Sequence, residues 1–358
     1  LQHPNTPGGS VTTFRLSPDD ILAKASGRLD DHAFWYGFAG SHTVGYMDSS
    51  SGWQGLVSLL MRQHGDCTTA VLTNGQAGER VLSAVAGKLK QCQTDYDRAD
   101  DDIAVRFDGL FANLGQDAQY RAGGSLGTPG PQVSFPPDAP HLRRATPMEG
   151  IPEGVLHLIT LGGDFISPSF YLLGLVELLI GLDPIDWVAK AVVGDYRVIS
   201  EVGDAILALS EFTAQQADLM ATDAGIMFNC WQGETASAAT PYFRELLAMI
   251  GAQSGPLASM GELYIQFAWS AFLLAEALVS ALCTLLDAVL MLGIDAIALA
   301  LGISTGPGEV GVAGVLALWN TVVTIHGNTV AVCFGLVGLI AGATGAFETV
   351  SLANFKEA

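Results

Sequence analysis

From Gly225 to Thr240 the chain reads GIMFNCWQGETASAAT, which places a Trp-Gln-Gly inside an otherwise helical pattern. Upstream, Val202, Ile206, Leu209, Leu219 and Met220 recur at helical spacing, predicting a helix from Pro184 to Phe228. Downstream, Tyr242 to Ile250 and Met260 to Leu301 also read as helix, the second stretch being apolar almost all round. A break flanked by two long helices is the corner of a helical hairpin. Gly233 takes backbone angles that a Cβ disfavours, and Trp231 closes the open end of the pair at an exposed corner. Pro241 falls early in the following helix, where it breaks the ladder unless a new helix begins there with Thr240 as its cap.

Two other stretches carry helix-start grammar. Ser17 and Pro18 read as N-cap and first helical residue, with Leu16 placed to pack on Ile21. Asp183 and Pro184 repeat the arrangement, with Leu182 and Trp187 in the same flanking positions. The first of these modules passes through an irregular Gly- and Ser-rich patch, Gly40 to Gly55. It then enters a long amphipathic helix predicted over Gly78 to Phe111, striped by Val81, Leu82, Val85, Leu89, Cys92 and Tyr96. From about Asn113 to Pro152 the pattern dissolves into Gly and Pro, as in GGSLGTPGPQVSFPPDAP, and reads as a linker. The division is therefore 1–112, a first helical module; 113–152, a linker; and 153–358, a second helical domain with an apolar C-terminal part. The fold class is all-α, an elongated bundle of two helical-hairpin modules.

The last segment, Val310 to Phe347, carries no acid or base except His326. It is long enough to span a bilayer once, or twice as a hairpin broken near His326-Gly327-Asn328. Asn320, Thr321, Thr324, Asn328 and Thr329 at its centre and the lack of flanking Lys or Arg argue against a stable span. The alternative is the buried seam of an oligomer, with Trp319 and His326 as interface candidates. Glu276, Asp287 and Asp295 lie on the preceding helix, the first two nearly on one face and the third about a quarter turn away. They read either as a solvated face or as the acidic lining of a ring or channel built from several copies.

Charge narrows the partners. The chain carries a formal −20 over 358 residues, and between Arg244 and Lys356 there is no Lys or Arg at all. A surface with no cations there does not neutralise phosphates, which argues against nucleic acid as a partner. The five cysteines and seven histidines show no metal-ligand spacing, so neither a metal nor a cofactor is expected. Cys67 and Cys92 share one amphipathic region and are disulfide candidates in an exported protein, the other reading being two buried thiols. GISTGPGEVG from Gly302 lacks the Lys of a phosphate cradle, and no Gly-x-Ser-x-Gly or His-Glu-x-x-His occurs, so no catalytic residues are expected and the chain does not read as an enzyme. The N-terminal residues show no basic stretch followed by an apolar one, so a cleavable secretory signal is not expected either.

Trp-x-Gly occurs three times, at Trp35, Trp53 and Trp231, and only the last lies between two long amphipathic helices. That placement resembles the Trp-x-Gly helical-hairpin family of actinobacterial type VII secretion substrates. The stretch QTDYDRADDDIA adds a Tyr-x-x-x-Asp, Tyr96 and Asp100, which share one helix face. Together these resemble a PE and a PPE protein fused in one chain, as in EspB-like substrates. The resemblance implies that Tyr96 and Asp100 approach Trp231 and Gly233 at one tip of a bundle, forming a two-part address for the type VII export ATPase. It also implies a protein secreted or held at the cell surface, assembling with copies of itself in a ring or filament as a structural or conduit component. The alternatives are a membrane-inserting pore former and a helical adaptor that never assembles.

Overall fold

The computed structural model describes residues 15–16, 20–48, 53–112, 134–136, 138–147, 194–300 and 312–355. Among them six α-helices carry the fold: α1 Ile21–Met47, α2 Met61–Ala112, α3 Tyr196–Cys230, α4 Glu234–Ala252, α5 Ser254–Ala300 and α6 Val312–Thr349. The class is all-α. The one pairing of strands among the described residues is a two-residue antiparallel bridge, β1 Arg15–Leu16 against β2 Trp231–Gln232. Short 3-10 turns at Gly55–Leu60 and Leu352–Asn354 complete the elements among the described residues.

α1 packs on α2, α3 on α5, α5 on α6, and α1 on α3, so a continuous buried core runs through both halves of the chain. Glycine decides how closely two of these pairs approach. Gly40 on α1 faces Gly75 on α2 so tightly that a Cβ on Gly40 would lie 3.0 Å from the Gly75 Cα, and the Tyr36 ring fills the space over Gly78. Gly203 on α3 and Gly261 on α5 make the second close crossing, each set against the other's carbonyl oxygen. Helices that meet at backbone distance bury more of their flanking side chains, and Tyr36, Phe212, Tyr264 and Phe267 are all buried around these crossings.

Several expectations require correction. The helix predicted over Gly78 to Phe111 is α2, which begins at Met61, because Cys67, Ala70 and Val71 continue the same buried stripe one turn after another. Helix α4 starts at Glu234, with Gly233 before it, and runs through Pro241 rather than restarting there. Thr240 is no cap: its hydroxyl donates to the Ala236 carbonyl at 2.8 Å, while Phe243, Leu246 and Ile250 are buried and hold the helix across the proline. Helix α6 passes unbroken through His326-Gly327-Asn328, which removes the two-span hairpin. A lone glycine weakens a helix without ending it, and no proline stands in α6.

The segment read as a linker is in part a docked strap. At 138–147 it lies on α3, where Arg143 meets Asp204 at 2.7 Å and Glu211 at 3.0 Å, Thr146 N–H donates to Asp204, and His141 N–H donates to Gln215. Burial works to raise the Asp204 carboxyl, but the Arg143 guanidinium and the Thr146 N–H outweigh it and hold the group below the usual carboxylate range. Leu16 pairs through its backbone with Trp231, its side chain lying outside the described residues. Ser17, Pro18, the Leu182 to Trp187 stretch and the 302–311 loop lie outside the described residues. The described part of α3 opens instead at Tyr196, with the Asp195 carboxylate accepting from Arg197 N–H.

The glycine crossings give a direct test. Gly40→Leu should lower unfolding free energy by about 3 kcal/mol or more, because backbone rather than a yielding side chain stands in the way. Gly87→Ala, at a helical position with open space, should leave it unchanged or raise it by up to about 1 kcal/mol. Chemical denaturation of the two variants checks both outcomes.

Candidate functional site at the Trp-x-Gly corner

Three residues build the corner between α3 and α4. Helix α3 ends at Cys230, and the Trp231 N–H still bonds to the Met227 carbonyl as the backbone turns extended. Gly233 then adopts φ 124°, ψ −172°, a conformation that glycine reaches without a steric cost, and its carbonyl accepts from Ser237 N–H and Oγ to open α4. The β1 bridge pins Trp231 and Gln232 from outside.

Trp231 is not exposed, contrary to the expectation for an accessible corner: 2% of its surface is open. Its ring stacks on Phe228 at 5.8 Å with planes 9° apart, and Phe228 meets Phe243 edge-on at 5.4 Å. The indole therefore locks the ends of α3 and α4 together, and what it leaves at the surface is Gln232 and Glu234. A buried indole N–H needs an acceptor, and here it is the Tyr96 hydroxyl, 3.3 Å away and 135 residues distant in sequence. The structure thus brings Tyr96 and Trp231 into contact. Asp100 lies one turn further along α2, its side chain outside the described residues.

Of the other two Trp-x-Gly triplets one lies inside a helix, whereas the second, contrary to the expectation that only Trp231 lies between two long helices, stands in the turn between α1 and α2. Trp35-Tyr36-Gly37 sits within α1, with Gly37 facing Glu79. Trp53-Gln54-Gly55 precedes a 3-10 turn, with the Trp53 ring tilted 39° against His64 at 4.2 Å and Gly55 at φ 57°. Burial holds the His64 imidazole below its ordinary range, toward the neutral form.

Two buried polar clusters had no counterpart in the sequence reading. In the first, Tyr36 Oη donates to Gln253 Oε1, Asn74 Nδ2 donates to the same oxygen at 2.9 Å, and Gln253 Nε2 donates to the Val350 carbonyl. Asn74 Oδ1 accepts from Ser351 Oγ at 3.1 Å and Leu352 N–H at 2.8 Å. One asparagine and one glutamine so tie α1, α2, the α4–α5 corner and the C-terminal turn. Burial raises the Tyr36 hydroxyl far above its ordinary value, so it stays a donor. In the second cluster, Asp223 on α3 accepts from Arg28 Nε and lies 3.0 Å from His32 Nε2, both on α1. Gln216 Nε2 stands 3.0 Å from His32 Nδ1, so both ring nitrogens of the buried imidazole have a partner on α3.

The remaining candidates are dispersed. Cys67 and Cys92 are free thiols on one unbroken helix, about 37 Å apart at about 1.5 Å per residue, so they do not form the disulfide. Burial pushes the Cys67 thiol up to about 12 and that of Cys333 to about 11, so neither is a thiolate at neutral pH. Glu276 and Asp287 are half-buried on α5, and the Asp295 side chain lies outside the described residues. Trp319 is 51% exposed on α6 and His326 is exposed as well. Among the described residues no group of three His, Cys, Asp or Glu side chains stands together as a metal site.

With this geometry established, comparison with models of known families, with curated proteins and with solved structures gives no match. The corner and the clusters are therefore interpreted from their own chemistry.

Asn74→Ala should cost about 2–4 kcal/mol, because it strands the Leu352 N–H and Ser351 hydroxyl and removes one of the donors to Gln253. The loss should appear in urea denaturation together with faster proteolysis at the C-terminal turn.

Proposed function

We propose that the chain is a substrate of a type VII secretion system whose address is assembled at the Trp-x-Gly corner, and that it works outside the cytoplasm as a self-assembling structural or conduit component. The observation that supports this reading is the hydrogen bond from Trp231 to Tyr96. It draws the Tyr-x-x-x-Asp helix of one module and the Trp-x-Gly turn of the other to one place, as a composite signal for an export ATPase requires. Tryptophan acts in this scheme as the internal support of the address, and the surface read by the ATPase is the Tyr96/Asp100 face of α2 with Gln232 and Glu234 beside it.

The assembly half of the reading rests on exposed apolar surface. Leu316, Trp319, Val323, Val332, Phe334 and Leu339 of α6 are each more than half open, a concentration of apolar surface that marks an interaction face. The acids of α5 provide the lining expected of a conduit once copies are arranged in a ring. A membrane-inserting role is the second reading, favoured by one observation: 316–349 is a helix long and apolar enough to cross a bilayer.

Secretion measures the address directly. Tyr96→Ala and Trp231→Ala should each cut the protein in culture supernatant at least tenfold while the intracellular pool persists. Tyr96→Phe, which keeps the ring and loses the acceptor, should give an intermediate level. Wild-type secretion of the folded Tyr96→Ala, Trp231→Ala double variant would remove the reading.

A further inference from the structure

Besides the α6 face, a second apolar surface stands open on α1. Phe34, Phe38, His42 and Tyr46 form a ladder at four-residue spacing, with successive rings 6.3, 5.5 and 5.3 Å apart. Phe34 is 60% and Phe38 43% exposed, and Trp35 braces both edge-on at 5.4 and 5.7 Å. The ladder is a rigid row of knobs about 18 Å long.

Helix α6 offers the opposite relief. Gly327, Ala331, Gly335, Gly338 and Gly342 are exposed and follow one another at spacings of three and four, one continuous line along the helix. A Cβ on any of these four glycines would meet nothing within 4 Å, unlike those at Gly40, Gly75, Gly203 and Gly261, whose smallness is explained by a neighbouring helix. Glycine weakens a helix relative to alanine, and these four at open positions serve no contact among the described residues. Phe334 flanks the line on one side and Val332 and Leu339 on the other, giving a shallow trough with apolar walls, and Leu316, Trp319 and Val323 extend the Phe334 side toward the start of the helix.

We propose that the α1 ladder of one copy seats in the α6 trough of the next. The inference rests on the self-assembly reading above and names its interface. Shape favours this occupant, since ridges at four-residue spacing fit a groove of the same period. Charge favours it too: copies of a −20 chain repel, and from Val312 to Phe347 α6 carries no Asp, Glu, Lys or Arg. Two different surfaces make the contact, so it is head-to-tail and propagates to a ring or filament rather than closing as a two-fold dimer. The area is modest, roughly 400–500 Å² per copy from half-open aromatic and aliphatic side chains. Assembly is accordingly concentration-dependent and strengthened by salt, which screens the repulsion.

The test is sedimentation of the full chain from micromolar to high micromolar concentration, with folding of each variant checked by thermal melting. Wild type should form species larger than dimers. Phe34→Ser with Phe38→Ser, which removes knobs, and Gly335→Leu with Gly338→Leu, which fills the trough, should each weaken self-association at least thirtyfold. An equal mixture of the two variants should stop at a 1:1 heterodimer, because one intact ladder and one intact trough remain. If wild type assembles and the Phe34/Phe38 variant assembles equally well, the ladder is not the partner and this interface is wrong while the assembly reading survives. If wild type stays monomeric throughout, the assembly reading falls as well. Monomeric wild type that floats with phosphatidylcholine vesicles, and loses flotation in the trough variant, assigns the trough to lipid and overturns the proposal.

Discussion

The contact of α1 with α2 at Gly40 and Gly75 is the constraint on which the rest of the structure depends. Only at that separation does Tyr36 lie across Gly78 and reach the Gln253 carboxamide, and only then does Asn74 stand where it can bond Gln253 on one side and the C-terminal turn on the other. Gln253 is fully buried at the corner between α4 and α5, so its amide links the second hairpin to the first. Polar groups at such depth are stabilising when every partner is present and costly when one is missing. A single separation therefore governs packing and hydrogen bonding together.

From that centre the helices run outward to two ends with different character. At one end the Trp231 corner is closed by aromatic stacking, by a backbone bridge and by the Tyr96 hydroxyl. Towards the other, α5 and α6 continue together with large apolar side chains open on α6. The first end supports the export reading and the second the assembly reading. The two surfaces lie on separate elements, so the two proposed roles can be tested independently.

Much of this architecture was legible in the residues. Apolar spacing of 3.6 located α3, α5 and the body of α2, and the non-helical angles of Gly233 followed from a glycine between two helical stripes. The burial of Trp231 was not legible, because a tryptophan beside a turn reads the same whether it faces solvent or a neighbouring helix; only Phe228, Phe243 and Tyr96, gathered from separate segments, decide it. Asn74 and Gln253 were invisible for a related reason. A polar residue on an apolar stripe gives no sign of its partners until the helices cross. The strap at 138–147 was read correctly as non-helical, but its docking depends on Asp204, Glu211 and Gln215, which look like ordinary surface residues of α3. The open glycines of α6 acquire meaning only against the closed ones of α1, α2, α3 and α5.

The central claim is that Tyr96 and Trp231 act as one unit. A double-mutant cycle on export, using Tyr96→Phe, Trp231→Phe and the combined variant with intracellular stability held in view, tests it most directly. The account predicts strong non-additivity, the combined variant being exported about as well as the worse single variant, because either change removes the same hydrogen bond. Export losses that simply multiply would contradict it, and would mean that the two residues are read separately.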